Sequence, residues 1–427
     1  MPIYQPQRGT YDAFYEDQEN IEKIASLLKQ IASIYGYNPI SVPVYETTEL
    51  FARSAGESSD IVTKEMFTFL DKGGRSITLR PEWTAGVMRA IVTNKLYATK
   101  DLPLKLSYYG PTFRYERPQA GRYRQFNQMG VENVGVSSPY SDAETITLGY
   151  NSLKMIGFSH VILKINSIGD EESRNAYKEA LKEYFSSKID TMCPDCQRRY
   201  KINPLRILDC KDKDDQEIIK DAPKMGDFLN EYSKKYFQEI LTLLDNQGVE
   251  YEIDDSLVRG LDYYSHVVFE FHFISKEGTN LGAIGAGGHY DNLVEEVGGP
   301  KLSSVGFAFG IERLNTLLKE ISPETYSKCF LDVFVVWLGK DVESYAYDTL
   351  QNLRLNGFKA DMNFEEKSFK SQIKIALRKQ AKFILIIGED EVKNNAFGLK
   401  NLLNQEQITV TKDELITKLD ELCIEEE

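Results

Sequence analysis

YYGPTFRYERPQAGRYRQFNQMGVE, Tyr108 to Glu132, decides how the rest of the chain is read. Two strand-like runs flank a polar stretch, 117–124, which makes a β-hairpin the natural fold of this segment. Strand alternation puts Arg114 and Glu116 on one face of the first strand, and Phe126, Gln128, Gly130 and Glu132 on one face of the second. If those faces coincide, one surface carries an arginine, two carboxylates, an amide and an aromatic plane, and Gly130 leaves room above the sheet. The loop adds Arg117, Arg122 and Arg124 and no acid. Such a surface suits an adenylate: guanidinium for the α-phosphate, ring stacking for adenine, carboxylates for amino groups. The same residues also suit a charged, exposed hairpin held by Arg–Glu pairs, and the hairpin alone leaves both readings open.

Outward from the hairpin the chain changes texture several times. Residues 16–35 read as an amphipathic helix, with Ile21, Ile24, Leu28, Ile31 and Tyr35 at helical spacing and Gly36 as a stop. Ser76 to Val136 reads as strands, 171–245 as a lysine- and glutamate-rich helical insertion, and 258–309 as strands again. Charged residues and Ser-Pro near Ile321–Lys328 mark a boundary. Beyond it FLDVFVVWL and AKFILIIG read as buried strands, with helices at 342–356, 369–380 and 413–422, the pattern of a compact α/β domain. The fold class is therefore α+β: an antiparallel body with a helical insertion, followed by a C-terminal α/β domain.

The bulk numbers narrow the class. A chain of 427 residues suggests two or three domains, and 42% hydrophobic with 27% charged residues describes a folded, soluble protein. The stretch MPIYQPQRGTYD has no apolar leader core, and no run is long enough to span a membrane, so a cytoplasmic location is expected. A net charge of −14 argues against coating nucleic acid without specificity, but a local basic patch can still bind a particular nucleic acid. Among five cysteines, Cys193, Cys196 and Cys210 have no histidine or further cysteine nearby as a fourth zinc ligand. They are expected to be structural thiols, with no metal held by side chains. GAGGH (285–289) lacks a P-loop's lysine and spacing, and is expected to let backbone approach a substrate. Lys370, Lys374, Arg378 and Lys382 recur every four residues. On a helix they form a drifting basic stripe, either a solvated face or a phosphate-contacting surface.

At the level of motifs, FRYERPQAGRYRQFNQ resembles motif 2 of class II aminoacyl-tRNA synthetases in its histidyl form. SVGFAFGIERL (304–314) resembles motif 3. LVRGLDYYSHVVFEF (257–271) and AIGAGGHYDNLVEEVGG (283–299) resemble the two signatures of histidyl enzymes. ISVPVYETTELFARSAGESSD places Pro43 where motif 1, the dimer element, is expected. TLRPEWTAGVMR resembles the segment that holds the substrate's amino group. The resemblance spans essentially the whole chain, in the family's order.

What this resemblance implies is a histidine–tRNA ligase, forming histidyl-adenylate from L-histidine and ATP with Mg²⁺ and passing histidine to tRNA(His). It implies a homodimer, a catalytic domain over 1–325 and an anticodon-binding domain over 330–427. Position by position, Glu82, Trp83, Thr84 and Gln128 belong to the histidine α-amino site, with Glu132 and Tyr264 on the imidazole and Tyr263 and Tyr290 lining the pocket. Arg259 bridges carboxylate and α-phosphate. Arg114 and Glu116 grip ATP, Arg122 reaches the outer phosphates, and adenine lies between Phe126 and Arg313. Arg117 and Gln119 face the tRNA acceptor end. Arg259 beside Gly260 also fits a loop salt bridge, and Tyr263 or Tyr264 a plain aromatic core. Two positions depart from the family pattern: His289 stands where arginine is usual, and Asn292 where glycine is common. His289 is therefore expected behind the site or on the surface. Rival readings are the synthetase-like regulatory subunit of histidine biosynthesis and a ligase for glycine, threonine or proline.

Overall fold

The computed structural model describes residues 4–56, 59, 61–119, 121–257, 263–276, 278–321 and 331–424. The chain divides into two compact units, Met1–Pro323 and Glu324–Glu427.

An eight-stranded sheet organises the first unit. Its strands are β1 (Asn38–Pro39), β2 (Leu104–Phe113), β3 (Gln125–Val134), β4 (Val161–Gly169), β5 (Tyr251–Ile253), β6 (Ser265–Ile274), β7 (Asn280–Tyr290) and β8 (Ser304–Gly310). Their order in space is β1-β2-β3-β8-β7-β6-β4-β5. The inner strands are antiparallel throughout, and only the short edge strands β1 and β5 run parallel to their neighbours. The hairpin at the centre of the sequence reading is β2–β3.

Helix α1 (Glu16–Ile34) buries Ile21, Ile24, Leu28 and Ile31, the stripe its spacing foretells. The stretch read as continuous strand contains a helix, α2 (Thr84–Thr93), whose residues Thr84 to Met88, Ala90 and Ile91 are all buried. A helix enclosed on nearly every side carries no polar face, so it has no helical period to reveal it. Helix α3 (Pro139–Met155) covers the apolar side of the sheet. A Cβ on its Gly149 would lie 2.4 Å from the Phe271 ring, so glycine is what allows the close approach. Helix α4 (Ile311–Ile321) follows β8 without a break.

Between β4 and β5 the chain is helical: Glu171–Ser186, Pro194–Ile202, Lys213–Ile219 and Glu231–Asn246, joined through short 3-10 turns. Side chains close the helix starts, Asp170 accepting from the Ser173 N–H and Asn230 from the Ser233 N–H, each at 2.9 Å. A small core of its own holds this region, with Tyr177, Leu181, Phe185, Met192 and Ile207 buried together. Arg174, in its first helix, donates to the Tyr264 carbonyl at 2.6 Å and so ties the insertion to the sheet.

The second unit has five strands, β9 (Leu331–Trp337), β10 (Ala360–Met362), β11 (Ala381–Ile387), β12 (Ala396–Asn401) and β13 (Gln407–Thr411), ordered β10-β9-β11-β12-β13. The first three are parallel, and β12 and β13 add an antiparallel edge that the sequence reading does not contain. Helix α5 (Phe369–Arg378) ends before Lys382, which lies on β11. The basic stripe is therefore shorter than its period-four spacing suggests: Lys370, Lys374 and Arg378 are exposed on one helix, and Lys382 is part of the sheet.

Candidate active site

Strand register brings together residues that are far apart in sequence. Tyr108, Gly130, Ala308, Ala286 and Glu270 stand in one row across β2, β3, β8, β7 and β6. In the next row Glu132, Gly306 and Gly288 are opposed. Side chains in such rows share a face, so the middle of this face is built from glycine and alanine. Over that trough lies a cleft of about 290 Å³, lined by Glu82, Trp83, Thr84, Arg114, Glu116, Arg122, Phe126, Gln128, Glu132, Tyr263, Tyr264, Tyr290 and Arg313 among others.

At the closed end Glu132 is 1% exposed. Its Oε1 accepts from the Thr84 hydroxyl at 2.6 Å and the Tyr108 hydroxyl at 3.3 Å, and its Oε2 accepts a short bond from the Tyr290 hydroxyl. Oε2 lies where a Cβ on Gly306 would be, at 2.1 Å, so any side chain there would displace the carboxyl. Burial pushes the Glu132 pKa up to about 8, and the charge of Glu82 adds to the rise. Glu82 is buried too, and burial raises its pKa. Its Oε1 accepts from the Ala85 N–H at 3.0 Å, while its Oε2 is buried without a partner. A buried carboxylate oxygen left unsatisfied beside a cleft is a slot for a cationic donor.

The walls of this end are aromatic. Trp83 is sandwiched between the Arg80 guanidinium, 3.4 Å from its ring centre, and the parallel Tyr108 ring at 4.9 Å. Tyr263 and Tyr264 lie 4.6 Å apart, and Tyr263 is 5.3 Å from Tyr290. All three tyrosines are buried in one cluster with Leu293 and Val294, and all three also line the cleft. Gln128 accepts from Thr112 at 3.1 Å. Gly130 makes room for a neighbour and not for an incoming group, since a Cβ there would meet the Tyr108 hydroxyl at 2.4 Å. In the GAGGH run the same holds for Gly288, whose Cβ would strike Tyr264 at 2.6 Å.

The open end is more polar and less settled. Arg114 and Glu116 lie beyond the end of β2, in the loop and not on the strand as period two suggests. Arg114 Nε donates to the Pro81 carbonyl at 2.8 Å, and its Nη1 is 3.7 Å from Glu116. Its guanidinium is 5.6 Å from the Phe126 ring centre. Arg313, in the first turn of α4, donates to the Leu281 carbonyl at 2.6 Å, while its Nε is buried without a partner. Burial, with the nearby charge of Arg122, lowers the Arg313 pKa. Glu270, paired with His272 at 2.9 Å, lines this part of the floor.

Other sequence candidates separate from the cleft. Arg117 and Gln119 are exposed on the loop, where Gln119 and Arg122 exchange backbone hydrogen bonds of 3.1 and 3.0 Å. Arg124 serves the fold: it stacks on Tyr115 at 3.7 Å, and its N–H donates to the Gly9 carbonyl at 2.7 Å. Arg259 lies outside the described residues. His289 is fully buried, which excludes the surface position. Its Nδ1 is 2.9 Å from Asp142 and its Nε2 3.0 Å from Asp291, directly behind Tyr290. Burial pulls its pKa down, but the two carboxylates outweigh that and push it up to about 10. The histidine is thus a buried cation in the place where the family pattern has arginine.

Tyr108, Ala286, Gly306, Ala308 and Glu270 are absent from the sequence-derived site. Two signals point to some of them. Tyr108 shares the parity of Thr112 and Arg114, and SVGFAFG alternates Gly306, Ala308 and Gly310 with Val305, Phe307 and Phe309. Tiny residues on one face and large ones on the other are the mark of a floor beneath a ligand.

Buried carboxylates gather at one end of this cleft and arginines at the other, as the resemblance to class II aminoacyl-tRNA synthetases implies. A family model described as histidyl-tRNA synthetase matches residues 9–314, and one described as anticodon binding domain matches 332–422. The histidine–tRNA ligase of Bacillus licheniformis is 45% identical over 412 residues, covering 96% of both chains. That of Bacillus subtilis is 44% identical over 416 residues, covering 97% of both. The crystal structure of apo histidyl-tRNA synthetase from Staphylococcus aureus superposes with a TM-score of 0.81 at 39% identity, covering 98% of this chain and all of that one. The chain belongs to the histidyl-tRNA synthetase family.

Proposed function

We propose that this histidine–tRNA ligase makes histidyl-adenylate in the cleft over β2, β3, β8 and β7, and we assign roles to its residues accordingly. The observation that carries the assignment is the closed end: Glu132 held by three hydroxyls, beside a Glu82 oxygen that is buried and unpartnered. Glu82, with Thr84, Gln128 and Trp83 around it, receives the α-ammonium group of histidine. Glu132 and Tyr264 take the two ring nitrogens, and Tyr263 and Tyr290 enclose the ring. A neutral imidazole has one donor and one acceptor nitrogen, so an isostere lacking either leaves a buried group unpaired.

In the first step an oxygen of the histidine carboxylate attacks the α-phosphorus of ATP, and the bond to the β-phosphate oxygen breaks to release pyrophosphate. Two anions meet, and charge builds on the phosphoryl oxygens, so fixed cations do most of the work. Arg114 and Arg259 supply them, Arg122 holds the outer phosphates, Glu116 contacts the nucleotide, and Phe126 and Arg313 clasp adenine. Glu116 and Glu270, carboxylates lining the cleft away from the histidine end, fit Mg²⁺, which would neutralise phosphate charge there. In the second step a hydroxyl of the tRNA(His) 3′ end attacks the acyl carbon and AMP leaves, with Arg117 and Gln119 beside the acceptor strand. The insertion 171–245 belongs to the catalytic domain, 1–325. The 330–427 domain reads the anticodon region, using the exposed Lys370, Lys374 and Arg378.

The working unit is a homodimer joined through the catalytic bodies. Exposed Tyr45, Phe69 and Leu70, on the small sheet that follows Pro43, support this. No described helix is long and apolar enough to cross a membrane, and the cytoplasm is where tRNA and ATP are available. Histidine-dependent ATP–pyrophosphate exchange tests the whole reading. It should appear with histidine and be absent with glycine, threonine or proline. Arg259→Lys should slow it by a factor on the order of 10² or more, because lysine keeps the charge but loses the fork. Near-normal exchange in that variant removes Arg259 from the site.

A further inference from the structure

Cys193, Cys196, Cys210 and Asp215, in the helical insertion, bring three sulfurs and a carboxylate oxygen within 4.8 Å of one another. No histidine or further cysteine lies near the thiols in sequence, but Asp215, on the helix Lys213–Ile219, is folded beside them. We propose that the four side chains form a structural zinc site with Cys₃Asp ligation.

The spacing suits a tetrahedron. Cys193 Sγ and Cys210 Sγ are 3.8 Å apart, and the edge of a tetrahedron with zinc–sulfur bonds of about 2.3 Å is also about 3.8 Å. Cys210 Sγ is 3.3 Å from Asp215 Oδ2, close to the roughly 3.5 Å of a sulfur–oxygen edge with a zinc–oxygen bond of about 2.0 Å. Backbone N–H groups already point at two of the sulfurs. The Cys196 N–H points at Cys193 Sγ at 3.5 Å, and the Asp212 N–H at Cys210 Sγ at 3.4 Å. The Cys193 N–H donates to both oxygens of Asp215 at 3.2 Å, which fixes the carboxylate. Outer donors of this kind orient ligands and tune a metal site.

The donor set and burial decide the metal and its role. Three thiolates select zinc over calcium or magnesium, which take oxygen ligands. Four side chains fill a tetrahedron and leave no position for a substrate, and Cys196, Asp215 and Cys210 are buried with only Cys193 partly exposed, so the site is structural. Cys193 and Cys196 open the helix Pro194–Ile202, Cys210 follows the 3-10 turn Pro204–Asp209, and Asp215 comes from the next helix. One ion therefore fastens three successive segments of a region whose own core is small. A small fold of this kind gains most from a metal.

The test uses the untagged full-length chain, expressed with added zinc and purified with a thiol reductant and without chelator. Elemental analysis should find one zinc per chain. Exchange with Co²⁺ should give the visible bands of tetrahedral cobalt and sulfur-to-cobalt charge transfer. Asp215→Ala should weaken zinc retention against a competing chelator by at least about 10-fold, while Asp215→His, which restores a ligand, should keep it, and Asp214→Ala should leave it unchanged. Far-UV circular dichroism on each variant separates ligand loss from unfolding, and the Ala-against-His comparison remains decisive if a cysteine variant fails to fold. Protein without zinc under these conditions overturns the proposal, as does a Cys193–Cys210 disulfide in its peptide map. Equal zinc retention in Asp215→Ala overturns it too.

Discussion

The two ends of the cleft are built on different principles. At the closed end both oxygens of Glu132 already accept hydrogen bonds, and the tyrosines around it are buried and packed against one another. At the open end the cations are occupied by neutral acceptors, Arg114 on the Pro81 carbonyl and Arg313 on the Leu281 carbonyl. A phosphate outcompetes a carbonyl for a guanidinium because its bond is charge-assisted. The closed end is thus assembled before a substrate arrives, apart from the one Glu82 oxygen left open for it, whereas the arginines of the open end exchange their partners when it comes. Selectivity among amino acids calls for the first design, and a flexible, highly charged triphosphate suits the second.

Removing the support behind the closed end should cost most. His289→Leu leaves the buried Asp142 and the partly buried Asp291 without their shared cation, and should destabilise the protein by roughly 3–5 kcal/mol in chemical denaturation. The folded pKa of His289 is raised to about 10 from 6.5. Its contribution is therefore complete below about pH 6.5 and is lost as pH rises through about 10, a dependence the variant should lack. A loss under about 1 kcal/mol would show that charge does not hold this end together.

Glu132→Gln comes next. Glutamine keeps the volume but cannot ionise, so it loses the charge-assisted bond that Glu132 makes once it passes its proton to the bound imidazole, a cost of roughly 1.5–3 kcal/mol, or about 10- to 150-fold in kcat/KM for histidine. The KM for ATP should stay nearly unchanged. The opposite pattern would move Glu132 to the nucleotide end and erase the distinction between the two.

The same variant has a pH signature. With a folded pKa near 8 against 4.5, the folded chain holds a proton that the unfolded chain releases, so this group's stabilising effect fades as pH rises from about 4.5 through 8. Glu132→Gln should therefore gain stability relative to the parent between pH 5 and pH 8.5. Parallel pH profiles would mean that the carboxyl titrates normally.

The smallest effect belongs to the open end. Glu116→Gln breaks only a partly exposed pair with Arg114, so stability should change by less than about 1 kcal/mol. The KM for ATP should rise while that for histidine holds. A large loss of stability would show that the open end is as preassembled as the closed one.

The sequence carried the hairpin because its alternation and its charges fall within one local segment. Glu132, Gln128 and Phe126 share a face by period two alone, and the α/β character of the second unit follows from two apolar strands between helices. What it did not carry has physical reasons. The floor formed by Tyr108, Ala308, Ala286 and Glu270 depends on the register of strands up to about 180 residues apart in sequence, and local pattern contains no register. Helix α2 is buried on too many sides to show a period. His289 is expected behind the site or on the surface and lies buried behind it, but of the two aspartates that hold it there, Asp142 comes from a distant segment. Asp215 escaped notice because aspartate is common on helix surfaces, and only the fold turns this one inward.

The bond from Arg174 to the Tyr264 carbonyl has a consequence for how the insertion and the pocket act on each other. One charged hydrogen bond joins the helical insertion to the residue assigned to the imidazole. Any load that displaces the insertion strains that bond, and so acts on the affinity for a small molecule bound on the sheet. Thermodynamic linkage makes the influence mutual: whatever free energy a filled pocket takes from the insertion's freedom to move, any ligand that holds the insertion still returns to the amino acid in equal measure.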